Sequence, residues 1–402
     1  MTHRSDSPWV RLRRVAPSAS IGLCAANGLP DLALAQRFHA GTETIAPAKG
    51  GGRRGAKSRK PGARRVVLAA IACLAEASGQ TVTWVLADEY PATSLPGEGD
   101  IYFASSVANR VDGKLVIHSQ PDGETGLKSR EQLDAVAEGR VAMANTFAGA
   151  LGDVSPLLLL SSLPFVAASA TDARRLYDLA RPAYEAVLES HNQKLLFSTP
   201  WPASGIWAKV AADTTEAVSK LKIRTYDKTG TELFTALGAN ATLLSFAELP
   251  GKLADGEIDA VLSPGDGGAG RALWQFLSQF TEINYAVPLS LTTVNLDAWN
   301  ALDATVQSAV IAAAADTEAH QWQSLEGRIA NNYARMRDNG MTIHRQIAPA
   351  LGGKFKAAAQ SVIAEWRSRS GRQGQAILDR FLAVRGGASE ESGERSRAAA
   401  GE

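Results

Sequence analysis

One helical pattern, about 36 residues long and running from Asp303 to Asn339, constrains this chain more than any other stretch. Trp322, Leu325, Ile329, Tyr333 and Met336 recur at spacings of three and four, the period of one helix face. Asp303 is placed to cap the start, and Gly340 to stop the end. At 1.5 Å per residue the pattern predicts a rod of roughly 54 Å, longer than one small lobe. If unbroken, such a helix has the length to brace two lobes.

The rest of the chain has room for two. It has 402 residues, 45% of them hydrophobic and 21% charged. That is ordinary globular composition, enough for about two domains. A net charge of +1 argues against a nucleic-acid protein held by phosphate contacts. No apolar run reaches the roughly 18 residues needed to span a bilayer.

The N-terminal part differs in kind. From Lys49 to Arg65 there are eight Lys or Arg and no acid, which predicts a solvated, disordered basic leader over residues 1–63. Arg64-Arg65 then precede the apolar run Val66 to Ala75, and Ala75-Glu76-Ala77 places small residues at A-x-A spacing. This predicts a signal peptide over 64–77, cleaved after Ala77. A buried helix is the competing reading, but Ser78-Gly79-Gln80 ends the run at once. Cys24 and Cys73 lie outside the expected folded segment, so no disulfide frame or metal cage is on offer. Residues 386–402 have the composition of a disordered tail.

Strand and helix patterns alternate after Thr81. Thr81 to Ala87, Lys114 to Ser119 and Val141 to Ala144 read as strands; Ile101 to Val111 and Ser129 to Ala137 read as helices. The alternation predicts parallel βα units on covered sheets, an α/β fold. Ala135 to Asn145 is echoed by Lys252 to Leu262, each reading as helix, glycine stop, buried strand. Two similar lobes would give this echo, and so would chance. Met341 to His344 then reads as a strand and Leu351 to Arg369 as a helix.

Gly265-Asp266-Gly267-Gly268-Ala269-Gly270 matches G-x-G-x-x-G, between a strand pattern (Ile258 to Leu262) and a helix pattern (Arg271 to Phe280). The acid expected at the end of the next strand is missing. A flexible loop beside a ligand cleft fits better than a dinucleotide site, and its backbone N–H groups are suited to an anion. Arg224, at the end of Leu221-Lys222-Ile223, would by default be a surface arginine. Its apolar and aromatic neighbours argue otherwise, because a planar guanidinium suits bidentate carboxylate binding. Trp201, Trp207, Phe147 and Tyr226 would by default be core aromatics. Trp201 stands out because Pro200 and Pro202 fix its loop. His118, His191, His320 and His344 are scattered without metal spacing, and no nucleophile motif occurs after residue 80. No catalytic residue, cofactor or metal site is expected.

In order and spacing, the segments from about Thr81 to Val384 resemble the extracytoplasmic solute receptors of TRAP transporters, a dicarboxylate-type family of bacterial solute-binding proteins (family 7). The resemblance rests on Trp84-Val85-Leu86-Ala87 with Tyr90-Pro91, Phe103-Ala104 to Gly113-Lys114-Leu115, Ser162-Leu163-Pro164-Phe165, Trp201-Pro202-Ala203-Ser204-Gly205, Leu221-Lys222-Ile223-Arg224, Leu253-Ala254-Asp255-Gly256, Val294-Asn295 and Asn339-Gly340-Met341. It implies a two-lobed periplasmic-binding-protein fold, each lobe a sheet flanked by helices, with a long helix bracing both. Lobe I would span 81–200 with parts of 292–333 and 357–385. Lobe II would span 201–291 with about 334–356. Hinges would lie near Pro200 to Gly205 and near Ser290 to Asn295.

The resemblance further implies a monomeric periplasmic receptor that captures a small organic acid and hands it to an ion-gradient-driven membrane permease. Arg224 would hold the carboxylate, with Tyr90, Asn145, Phe147, Trp201, Tyr226, Ser263 and Asn295 around it. Many members carry a second arginine near Ser204-Gly205-Ile206-Trp207, and this chain has none there. A second carboxylate on the ligand therefore has no obvious partner, and Asp266, if it faces the cleft, would instead meet a ligand hydroxyl or amine. Two other classes stay open: a secreted α/β enzyme, nucleotide-dependent through Gly265–Gly270, and a receptor domain serving a sensor.

Overall fold

The computed structural model describes residues 81–399, with side chains described through Arg385. The leader, the signal segment, both cysteines and residues 400–402 lie outside the described residues. In chain order the strands are β1 (Val82–Asp88), β2 (Leu115–Gln120), β3 (Met143–Phe147), β4 (Gln193–Pro200), β5 (Ser204–Ala208), β6 (Lys222–Thr225), β7 (Asn240–Leu243), β8 (Ala260–Pro264), β9 (Gln279–Thr281), β10 (Leu289–Asn295) and β11 (Thr342–His344). They form a five-stranded sheet, β2-β1-β3-β10-β4, and a six-stranded sheet, β11-β9-β5-β8-β6-β7. Each sheet is the centre of one α/β lobe.

In lobe I, β1 runs parallel to β2 and β3, while β10 returns antiparallel between β3 and β4. Alternation along β1 turns Trp84 and Leu86 to one face. There they pack with Phe103 and Val107 of the helix Leu95–Ala108 and with Val306, Val310 and Ala313 of the longest helix. In lobe II, β6 runs parallel to β7 and β8, and β5 lies antiparallel to β8 and β9. Its core gathers Ile206, Trp207, Ile223, Phe234, Leu262 and Phe280.

The rod read from the sequence is one helix, Ala304–Asp338, of 35 residues. Asp303 caps it by accepting hydrogen bonds from the Thr305 and Val306 amides at 3.0 and 2.9 Å. Gly340 ends it at φ +79°, in the left-handed region that glycine enters without strain. The helix starts in the lobe I core and ends with Met336 in the lobe II core, so it braces both. The sequence echo is also a pair of matching units. The helices Ser129–Ala137 and Leu249–Ala254 stop at Gly139 (φ +71°) and Gly256 (φ +69°), and lead into β3 and β8.

The chain crosses between sheets directly from β4 to β5, over residues 201–203. It returns over residues 282–288. The second crossing, expected near Ser290 to Asn295, therefore lies earlier, because those residues are paired with β3 and β4 inside the lobe I sheet. The glycine run is not a flexible loop: Gly265–Gly270 is a short helix. The helix expected over Arg271 to Phe280 is instead a 3₁₀ turn, Leu273–Gln275, followed by β9. The final helix, Gly371–Ala399, continues as backbone into the segment of tail composition.

Candidate functional site

The cleft opens where the carboxyl ends of β1 and β3 face those of β6 and β8, the edge at which α/β sheets leave a crevice. Tyr90 follows β1, Phe147 ends β3, Arg224 lies on β6 with Tyr226 just beyond, Ser263 lies on β8 and Trp201 follows β4. These six line one inner chamber with Phe246, Pro264 and Gly267. An outer chamber shares Tyr90, Phe147, Arg224 and Tyr226, and adds Glu89, Ser129, Arg130, Asp153, Lys228 and Leu244 nearer the mouth.

Arg224 is 3% exposed. Its Nε donates to the Leu244 carbonyl at 2.8 Å, which fixes the plane of the guanidinium. Its outer nitrogens make no hydrogen bond to any described residue, and the side chain lines both chambers. The group lies over the Tyr226 ring, 6.0 Å from the centroid. Burial lowers its pKa from the ordinary arginine value, and the nearby Tyr90, Glu89, Tyr226 and Asp227 pull it back up. It stays a cation, with its fork turned to the chamber.

The aromatic walls are held by each other and by hydrogen bonds. Tyr90 meets Trp201 edge-on at 4.7 Å and Phe246 at 4.8 Å, and Phe147 meets Tyr226 at 5.1 Å. Trp201 Nε1 donates to Ser290 Oγ at 3.0 Å. The Tyr226 and Ser204 hydroxyls lie 3.0 Å apart. Burial raises the pKa of Tyr90 and Tyr226 well above the ordinary phenol value, so both stay neutral. Beneath Arg224, burial pushes Asp227 up to about 6, against opposing hydrogen bonds from Gly230 and Thr229.

Two residues expected at the site stand apart from the chamber. Asn145 is fully buried under the floor, where its Nδ2 donates to Asp100 Oδ1 at 2.8 Å. Asn295 is at the far end of β10. Its Nδ2 donates to the Val136 carbonyl at 2.8 Å, and its Oδ1 accepts from the Ala298 amide at 2.9 Å, capping the helix Leu296–Asn300. This amide ties structure together on the side of the sheet end away from the cleft. Asp266 does not face the chamber either: it accepts from the Leu95 amide and Asn332 Nδ2, lies 3.5 Å from Arg328 Nε as an ion pair, and is buried at the lobe junction.

Sequence reasoning missed Glu89, Phe246 and the Leu244 carbonyl. Glu89 had a usable signal, because an acid directly after a parallel strand stands at the crevice edge. Phe246 and Leu244 arrive on the loop after β7, which had none. The glycine run serves packing. A side chain at Gly268 would stand 2.2 Å from the Trp207 ring, so glycine there lets the short helix lie against the lobe II core.

Comparison with known proteins places this architecture. A family description, bacterial extracellular solute-binding protein, family 7, matches residues 86–369. The Bordetella pertussis extracytoplasmic solute receptor DctP7, solved as a receptor binding pyroglutamic acid, is 26% identical, with a TM-score of 0.73 over 75% of this chain and 100% of that one. A TRAP solute-binding protein from a marine metagenome, described as specific for pyroglutamate, is 28% identical, with a TM-score of 0.72 over 76% of this chain and 99% of that one. A solute-binding protein of Chromohalobacter salexigens is 21% identical over 280 residues, 66% of this chain and 80% of the relative. With two braced lobes, a buried arginine in the cleft between them and a family match across most of the described fold, the chain belongs to bacterial extracellular solute-binding protein family 7, the solute receptors of TRAP transporters.

Proposed function

We propose that this receptor captures a small monocarboxylate of about the size of pyroglutamate in the interlobe cleft, with Arg224 as its anchor. The observation that carries the reading is the Arg224 guanidinium: buried, fixed through Nε to Leu244, and with its outer nitrogens turned to the chamber. A buried cation without a bonded anion is unfavourable, and a carboxylate on the fork offsets that cost with two charge-assisted hydrogen bonds. The inner chamber carries no second cation, and its other walls are aromatic rings, a hydroxyl and backbone. That favours one carboxylate on a compact, flat body over a dicarboxylate. Arg130 and Lys228 stand only at the outer chamber. Pyroglutamate receptors among the relatives point the same way.

The family is one of binding receptors, so the enzyme reading gives way. Delivery would be to a TRAP permease, from a monomeric receptor exported to the periplasm by the signal segment. Among the described residues no helix is long and apolar enough to cross a membrane.

Calorimetry with L-pyroglutamate, succinate and D-glucuronate tests the reading. Pyroglutamate should bind most tightly. Arg224→Lys keeps the charge and loses the fork, so affinity should fall roughly ten- to hundredfold. Equal affinity in the wild type and Arg224→Lys would remove Arg224 from the site.

A further inference from the structure

Two buried carboxylates bridge the lobes in opposite directions, beside the more exposed ion pairs of Glu248 with Lys128 and of Arg271 with Asp122. Glu89, on lobe I, accepts from the Ala247 amide of lobe II through Oε1 at 3.0 Å. Its Oε2 is held within its own lobe by the Ser129 amide and hydroxyl, both at 2.8 Å. Asp266, on lobe II, accepts from the Leu95 amide of lobe I through Oδ2 at 2.7 Å. Its Oδ1 is held by Asn332 at 3.0 Å and lies 3.5 Å from Arg328 Nε, both on the bracing helix. In each case one oxygen is anchored and the other reaches across to a backbone N–H. The two acids are 2% and 1% exposed.

We infer that Glu89 and Asp266 are positioning residues that hold the lobes shut, a role distinct from touching the ligand. The inference rests on the reading of the cleft as a site that closes. Backbone N–H groups reached by an ionised carboxylate make stronger bonds than neutral pairs, and these two form only when the lobes are together. With the cleft parted, both carboxylate oxygens and both amides go to water. With one such bond on each lobe, loss of either would shift the balance toward the parted form and so weaken the other.

Residue-resolved amide hydrogen exchange on the full chain tests this without ligand, so a wrong choice of carboxylate leaves the result readable. The Leu95 and Ala247 amides should be protected in the wild type. In Asp266→Ala both should exchange roughly tenfold faster or more, although Asp266 touches only Leu95. Glu89→Ala should likewise expose Leu95, and it stands in should Asp266→Ala fail to fold. Amides inside β3 and β8 should keep their rates. Faster exchange at the directly bonded amide alone would reduce the pair to local contacts. Unprotected amides in the wild type, or faster exchange throughout the sheets, would also overturn the inference.

Discussion

The two walls of the cleft are built differently. Lobe II brings the charge: Arg224 on a paired strand, its plane fixed by Leu244, with Asp227 buried beneath it. Lobe I brings Tyr90, Phe147 and the lobe-bridging Glu89, and no cation to the inner chamber. On the proposed reading, chemical recognition would be concentrated on one wall, while the other would supply apolar cover and the contacts that close it. A ligand would meet its charge partner on lobe II first and gain burial only when lobe I arrives. Excluding water then strengthens the pair.

The largest expected effect falls on the charged wall. Arg224→Ala should weaken pyroglutamate binding by roughly 2–5 kcal/mol, the range for removing one partner of a buried, hydrogen-bonded charge pair. Phe147→Ala, on the opposite wall, should lose only roughly 0.5–1.5 kcal/mol beyond its lost burial. Calorimetry on both variants checks the contrast, and equal losses would break it.

The second test is of pH. Asp227 has an ordinary carboxyl pKa in the unfolded chain, with a reference value of 3.8, and is pushed to about 6 by burial in the fold. The folded state therefore holds this proton more tightly. Stability from this group is complete below about pH 4, falls between about pH 4 and 6, and is level above that, a swing of about 3 kcal/mol. Denaturant titrations of wild type and Asp227→Asn should differ in slope across that window. Parallel curves would place the Asp227 carboxyl in a wetter setting than the structure gives it.

The smallest effect concerns a residue outside both walls. Asn295→Ala should cost roughly 1 kcal/mol of stability through the lost helix cap, and leave pyroglutamate affinity unchanged. An affinity loss at Asn295 would extend the site to the far end of β10.

What the sequence made legible was what is local in it. The bracing helix showed because its period, cap and stop lie within one stretch, and the paired helix–glycine–strand units showed for the same reason. Arg224 stood out through its neighbours and its place in an ordered series. Asn295 was misplaced because an asparagine at a strand end serves equally as a ligand contact or as a cap. The Gly265–Gly270 run reads as a loop by composition, yet it is a short helix, with glycine at 268 where a side chain would meet Trp207. Glu89 was invisible as a bridge because its partner amide lies 158 residues away. The second crossing was set too late because residues 283–287 carry the same apolar pattern as the strand that follows.

The crossings also bear on how such a gene can change. Lobe I takes β10 from beyond the whole run of β5 to β9, and lobe II takes β11 from beyond the bracing helix. Neither lobe is a continuous stretch of sequence, so recombination at a lobe boundary would swap part of a sheet and leave the remainder unmatched. New ligand preferences in this lineage should therefore arise by substitution at the chamber walls, with the pair of lobes inherited as one unit.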